Sequence, residues 1–306
     1  MNILHLLLLI LLAGFCVLMF ASRKIAFTYA RWVILLSVGT VILLPFVWLI
    51  CAAFKDTTVL NEYAFLPPIH KISHSTINLD SFRTLFREKQ TVQGSVSFWR
   101  YIWNSIFLAT AGTSISLIFS SMGGYALAKY RFAGRGFLLS CMLASMTIPG
   151  VVLLAPNFEV MWRLGWLDSY KAILIPGSVG AFGIFLFRQA MLKVPDDLIE
   201  AGRIDGCSEF GIYLQLVMPL VRPMSAAFCL ISFLGSWNSF LVPNIFLQTQ
   251  SKLTLPVILN QYIGEYTQQY GVFLAGTLLA IVPPAILFFA LQREFISGLT
   301  SGAVKQ

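Results

Sequence analysis

Seven long apolar runs govern what this chain can fold into: 3–20, 32–54, 104–128, 137–162, 172–190, 224–247 and 271–291. A helix rises about 1.5 Å per residue, so crossing about 30 Å of hydrocarbon takes about 20 apolar residues. In lipid every backbone hydrogen bond has to close inside the structure, which leaves helices or closed barrels, and runs of this length exceed a barrel strand. Charged residues make up 11% of the 306-residue chain, less than half of the about 25% found in soluble domains. A water-soluble globule is excluded. The chain reads as an all-α polytopic membrane protein.

Orientation follows from the basic residues beside the runs. The stretch 22–31 carries Arg23, Lys24 and Arg31, and 129–136 carries Lys129, Arg131 and Arg135, neither with an acid. Both read as cytoplasmic loops, which also places the 191–223 connection and the C-terminus inside, and 55–103, 163–171 and 248–270 outside. The net charge of +8 is then helix anchoring rather than a nucleic-acid surface. The first run has no Lys or Arg before it, as a secretory signal requires. It is read as an uncleaved extra helix with a periplasmic N-terminus; a peripheral leader is the alternative.

Little in the chain points to chemistry. Cys16, Cys51, Cys141, Cys207 and Cys229 lack CxxC spacing and give neither a disulfide framework nor a zinc site. His70 and His74 stand four apart with no carboxylate between them and read as solvated loop residues. Neither GxxxxGK[ST] nor GxGxxG occurs, so the chain is not expected to hydrolyse ATP or to hold a cofactor. Two packing signals stand out. Gly112, Ser116, Ser120, Gly124 and Ala128 recur every fourth residue, a small-residue stripe that lets another helix approach closely. Pro45, Pro149, Pro156, Pro176, Pro283 and Pro284 interrupt apolar runs, where kinks or breaks are expected.

The most informative segment is the connection 193–219. Pro195 followed by Asp196 and Asp197 is a helix start, since proline fits the first turn and acids suit the positive end. Leu198, Ile199 and Ala201 support a short helix that stops at Asp205-Gly206, a turn dipeptide. A second amphipathic helix is expected from about Ser208 to Val217, ending before Pro219. The result is a protruding elbow whose exposed apolar residues need a protein partner.

This elbow resembles the EAA loop of ATP-binding-cassette importer permeases, whose pattern is E-A-A, three residues, G, nine residues, I-x-L-P. Glu200, Ala201, Gly202, Gly206, Leu216, Met218 and Pro219 occupy those places, with Asp205 at the turn. Gly202, Leu216 and Met218 depart from the pattern by small or apolar swaps. The resemblance covers most of the chain from residue 32. Its other segments are Arg100–Ser105, Gly124–Gly134, Phe182–Gln189, Trp237–Pro243 and Gly298–Lys305. The last two are similar to the carbohydrate-uptake branch and its maltose-type second permease subunit.

That resemblance implies a six-helix type I importer core at 32–306, preceded by an extra helix and link at 1–31. It implies half of a translocation pore in the bacterial inner membrane. The partners would be a second permease subunit, two ATPase subunits that bind ATP and magnesium, and a periplasmic or lipid-anchored sugar-binding protein. Glu200 through Pro219 would couple ATP hydrolysis to the pore. The tail from Gly298 suits an extended peptide that contacts the ATPases. Asn157, Trp237 and Asn238 are polar or aromatic enough to line a sugar path, with helix packing as the alternative role. An ion-coupled secondary transporter and a non-transporting scaffold are the rival functions. A proton or sodium relay is unsupported, because Glu159, Arg163 and Arg188 sit only at the ends of runs.

Overall fold

The computed structural model describes residues 22–91, 94–264 and 268–303. The run 3–20 lies outside the described residues. The chain divides into two compact units, Met1–Ser81 and Phe82–Gln306.

In the first unit, α1 (Arg23–Phe54) is one helix of 32 residues. The stretch 22–31, expected as a loop, forms its opening turns, because no glycine or proline stands between Arg23 and Val38 to stop a helix already started. Its side chains are apolar and exposed almost all round, among them Ile34, Leu36 and Val41. A helix of this kind belongs in lipid or against another subunit. At its end Lys55 is buried, and its ammonium donates to the carbonyls of Leu60 at 3.2 Å and Tyr63 at 2.6 Å. These bonds fasten the loop that follows.

The second unit begins within a short helix, Asp80–Phe86, followed by an antiparallel hairpin, β1 (Lys89–Thr91) and β2 (Gly94–Val96), with Lys89 opposite Val96. Its helices are α2 (Phe98–Lys129), α3 (Arg135–Ser145), α4 (Leu154–Arg163), α5 (Ala181–Met191), α6 (Asp196–Ile204) and α7 (Glu209–Leu220). They continue as α8 (Arg222–Trp237), α9 (Leu241–Phe246), α10 (Leu255–Gln261) and α11 (Tyr270–Ala303). The long helix α2 packs on α5 and α8, and α8 packs on α11.

The small-residue stripe is the α2–α5 contact. A Cβ added at Gly124 would lie 2.5 Å from Phe187 Cβ and 2.8 Å from the Arg188 nitrogen, and one at Gly183 would lie 2.5 Å from Ser120 Oγ. Only residues without bulk permit this approach, which replaces lipid with dense van der Waals contact.

Among the described residues, three helices are long and apolar enough to cross a membrane unbroken: α1, α2 and the Tyr270–Glu294 part of α11. Three of the expected single crossings are instead divided. The run 137–162 becomes α3 and α4, 172–190 becomes a turn at Lys171–Leu174 and then α5, and 224–247 becomes α8 and α9. The cause is proline, which lacks an amide proton and whose ring strikes the carbonyl four residues earlier. Helix α3 ends at Ser145, four before Pro149; the 238–240 break falls four before Pro243. Pro45, Pro283 and Pro284 by contrast stay inside α1 and α11. The backbone of α11 also stays helical to Ala303, where an extended tail was expected from Gly298. No proline intervenes there, and extending a formed helix is easier than starting one.

Candidate functional site

The elbow is built as its sequence suggests, with one change. Helix α6 begins directly after Pro195 and carries Asp196 and Asp197 in its first turn. It ends at Ile204, and Gly206 takes φ +77°, a left-handed conformation open to glycine at little cost. Ser208 then caps α7, its hydroxyl accepting from the Gly211 amide at 3.1 Å. The change is at Pro219. Helix α7 does not stop before it; Ile212–Val217 widens into a π turn and the helix continues to Leu220. The wider turn gives the proline ring room that an α turn would deny it. The chain then bends by 83° between α7 and α8.

The two elbow helices meet over Ile199 and Gly202 on one side and Ile212 and Leu216 on the other. A Cβ at Gly202 would lie 2.7 Å from Leu216 Cδ1 and 3.2 Å from Ile212 Cγ1. Glycine in place of the family's alanine therefore leaves space that the leucine fills. Beneath, Ile199, Ile212, Tyr213 and Val217 join Tyr125, Phe187 and Met191 in one buried cluster. The Tyr213 and Ser121 hydroxyls share a buried hydrogen bond of 2.7 Å. The elbow is thus continuous with α2 and α5.

Two polar contacts fasten it further. Lys129 Nζ, at the end of α2, donates to the Val194 carbonyl at 2.5 Å and to Asp196 Oδ1 at 2.6 Å. This ammonium holds the Asp196 carboxyl below its ordinary value. Across the Gly206 turn, Arg203 Nε and Nη2 donate to the Glu209 carboxylate at 2.7 and 3.3 Å, and Tyr130 Oη donates to its Oε2 at 2.7 Å. Arg203, then Tyr130, keep the Glu209 carboxyl below its usual range. Burial, then the Glu209 hydrogen bond, push the Tyr130 phenol above its ordinary value, so it remains a donor. One carboxylate therefore clasps α6, α7 and the end of α2 together.

The opposite face of the elbow is free. Glu200 is exposed and has no hydrogen bond or ion pair among the described residues. Ala201, Asp205, Cys207 and Pro219 are exposed, and so are Leu198, Ile204 at 86%, Phe210 and Leu214. Met218 is half-buried against the cluster below.

A second feature is a cavity of about 390 Å³ walled by α2, α4, α8, α9 and the 172–177 turn. Its polar lining is Ser105, Asn157, Ser232, Ser236, Ser239 and Thr254; glycines 112, 150, 177 and 235 leave it open, and Pro176 and Pro243 at the helix breaks border it. Of the three residues considered for a sugar path, only Asn157 lines this cavity. Trp237 is buried, stacked on Phe233, and its indole donates to the Ala280 carbonyl at 3.1 Å. Asn238 is exposed where α8 ends.

Segment 247–254, which reaches the cavity at Thr254, is strapped on two sides. Asn104 Nδ2 donates to the carbonyls of Ser251 and Leu253, both at 2.9 Å, and Ser105 Oγ accepts from the Leu255 amide at 2.7 Å. Asp168, at φ +56°, accepts from the amides of Gln248 and Thr249 at 2.9 Å, from Thr249 Oγ1 at 2.6 Å and from Lys252 Nζ at 2.8 Å. Burial by itself would raise the Asp168 carboxyl; these hydrogen bonds, Lys252 foremost, outweigh it and hold the group well below the carboxylate range.

Sequence reasoning missed the clasp, the strap and the cavity serines. Arg203 and Glu209 stand opposite in charge across a turn dipeptide, a signal that was available. Tyr130 and Asp168 reach partners 79 and 81 residues away in the chain, and no local pattern marks such pairs.

The profile of a family described as the binding-protein-dependent transport system inner membrane component matches residues 120–298, which hold the elbow and the cavity wall apart from its Ser105, Leu108 and Gly112 side. An arabinooligosaccharides transport system permease protein, AraQ of Halalkalibacterium halodurans, is 38% identical over 85% of this chain and 90% of its own length. A lactose transport system permease protein, LacG of Rhizobium radiobacter, is 31% identical over 85% and 90%. The fold matches a crystal structure of a bacterial ABC transporter involved in the import of the acidic polysaccharide alginate. There the TM-score is 0.76 at 24% identity, covering 90% of this chain and 98% of that one. An elbow fixed to bundled membrane helices, a profile spanning it, and relatives at this identity lead to one assignment. The chain belongs to the binding-protein-dependent transport system inner membrane component family of ABC importer permeases.

Proposed function

We propose that this chain forms half of the pore of an ATP-driven carbohydrate importer and that its elbow seats in a partner ATPase subunit. The elbow lies on the cytoplasmic side, the cavity lies on the sugar's path, and the C-terminus is cytoplasmic. A second permease completes the pore, two ATPase subunits carry ATP and magnesium, and a periplasmic binding protein delivers the sugar. The observation that supports this reading is the two-sidedness of the elbow. Its inner face is packed and clasped to α2 and α5, while its outer face presents a free Glu200 beside exposed Leu198, Ile204, Phe210 and Leu214. An apolar patch in water, with an acid at its edge, is a protein-docking surface. The carbohydrate class is supported by relatives that carry arabinooligosaccharides and lactose.

A docked elbow transmits movement as a rigid body. When the ATPases close, α6 and α7 move with the cleft that holds them, and α2 and α5 follow through the shared cluster. The helix pairs around the cavity then tilt, which is alternating access driven by binding energy supplied outside the bilayer. The test is assembly. Ile204→Asp with Phe210→Asp puts charge on the docking face and touches no membrane helix. The double variant should insert and retain its permease partner while losing the ATPase subunits on affinity purification. Full recovery of the ATPases would reject the docking role.

A further inference from the structure

Hydroxyl groups on membrane helices commonly turn back onto their own backbone, because lipid offers them nothing else. This chain does so at Thr110, whose Oγ1 donates to the Ile106 carbonyl at 2.6 Å, and at Ser121 onto Leu117 at 2.6 Å. Thr277 does the same onto Phe273 at 2.8 Å. Thr113 and Ser120 on α2 do not, and are buried without a partner among the described residues; what marks the cavity is that several such groups gather on one wall. The side chains of Ser232, Ser236, Ser239 and Asn157 line it and make no hydrogen bond among the described residues. Ser232 and Ser236 stand one helical turn apart on α8, Ser239 lies just beyond its end, and Asn157 is on α4. Thr254 on the same lining is 4% exposed, and its hydroxyl is buried without a partner among the described residues. A polar group so placed is destabilising unless something else satisfies it.

The second observation is charge. Among the described residues, no Asp, Glu, Lys, Arg or His lines the cavity. Asp168 and Lys252, near it, are paired with each other at 2.8 Å. An ion entering would lose hydration and meet no counter-charge on this wall. An uncharged molecule dense in hydroxyls meets groups that each both donate and accept.

We propose that Ser232, Ser236, Ser239 and Asn157, with Thr254 behind them, form a strip that matches the hydroxyls of an uncharged saccharide or polyol as it passes. The proposal rests on the carbohydrate reading above and adds to it the contact residues and the charge class. Each contact is a single neutral hydrogen bond, strong enough to orient a sugar and weak enough to release it.

The whole complex, with its binding protein at saturation, would be reconstituted in vesicles, and labelled uptake and ATP hydrolysis read together. The probes are lactose and arabinotriose as neutral sugars, and lactobionate and digalacturonate as anions. Wild type should move a neutral probe and not the anions. Ser232→Ala with Ser236→Ala should lower the sugar moved per ATP hydrolysed about three- to tenfold, the loss expected from one or two neutral hydrogen bonds. Complex assembly and thermal stability should be unchanged, which merely structural serines would not produce. Ser236→Thr, which keeps the hydroxyl, should retain most of the coupling. An unchanged ratio in the double variant would overturn the strip while leaving the carbohydrate reading intact. Uptake of the anions alone would overturn the charge class, and uptake of no probe by wild type would overturn the carbohydrate reading on which the strip depends.

Discussion

The elbow and the cavity treat polar groups in opposite ways. In the elbow the inward polar groups, the Tyr125 hydroxyl excepted, are committed: Lys129 to Val194 and Asp196, Tyr130 and Arg203 to Glu209, Tyr213 to Ser121. Around the cavity Ser105 is bonded to the Leu255 amide, but the side chains of Asn157, Ser232, Ser236 and Ser239 have no partner among the described residues. Under the function proposed above, the difference is one of mechanical duty. A part that passes on displacement must not yield, so its contacts are charged, buried or both. A part that passes on a substrate must form and break contacts at every cycle, so its groups are left available. The helices differ accordingly, since α2 runs unbroken for 32 residues from the strap to the elbow, whereas α3, α4, α8 and α9 are short pieces interrupted near prolines.

Breaking the elbow should have the largest effect. Gly206→Pro removes the amide that donates to the Arg203 carbonyl at 3.1 Å and forces φ from +77° to about −65°. The variant should insert normally and lose uptake and substrate-stimulated ATP hydrolysis by more than about tenfold, more than 1.4 kcal/mol on a rate. Normal stimulation in purified complexes would contradict the elbow's role.

Loosening the clasp comes next. Glu209→Ala leaves Arg203 and Tyr130 without their shared acceptor, so hydrolysis should continue while uptake per ATP falls several-fold. Glu209→Gln retains an oxygen for Tyr130 and should fall less. Equal coupling in wild type and Glu209→Ala would mean that packing alone holds the elbow.

A smaller effect is expected inside the elbow. Gly202→Ala places a methyl 2.7 Å from Leu216 Cδ1, a crowding that generally destabilises by about 1–3 kcal/mol. Because the obstructing atom ends a flexible side chain, the low end of that range is expected. Gly202→Ala with Leu216→Ala should recover part of the lost melting temperature. Additive losses would show that the two positions are not packed as described.

The smallest effect concerns acidity. The carboxyls of Glu209 and Asp168 are both held below their ordinary values. Their stabilisation is complete above the unfolded value of about 4 and is lost only as pH falls through the lower folded values. Clasp and strap should therefore survive from pH 8 to pH 5. The melting-temperature difference between wild type and Asp168→Asn should stay constant over that range; a difference already shrinking at pH 5 would contradict the assignment.

What the sequence made legible follows the range of the interactions. Pro195, Asp196, Asp197 and Asp205-Gly206 act within a few residues, and the elbow helices start and turn where those residues say. The stripe from Gly112 to Ala128 has helical period, and the α2–α5 contact uses it. Prolines were visible as interruptions, yet Pro45 and Pro283 remain inside helices while Pro149 and Pro243 follow breaks. Which outcome occurs depends on whether neighbouring helices or nearby glycines offer the freed carbonyl an alternative. Trp237 and Asn157 looked equally suited to a sugar path, and only packing against Phe233 and Ala280 separates them. Tyr130, Glu209 and Asp168 are joined by folding alone, so no window of sequence contains them together.

Cys207 offers the most direct measurement. It follows Gly206 at the tip of the elbow and is exposed. In a variant with Cys16, Cys51, Cys141 and Cys229 replaced by alanine, Cys207 is the chain's single thiol. A short bis-maleimide would be applied to the membrane-embedded complex, with a single cysteine engineered into the cleft of the ATPase subunit. The expected result is one cross-linked species of permease and ATPase that abolishes uptake until a cleavable linker is cut. Free reaction of Cys207 with a membrane-impermeant maleimide from the periplasmic side, with no ATPase adduct, would contradict both the orientation and the coupling assigned to the elbow.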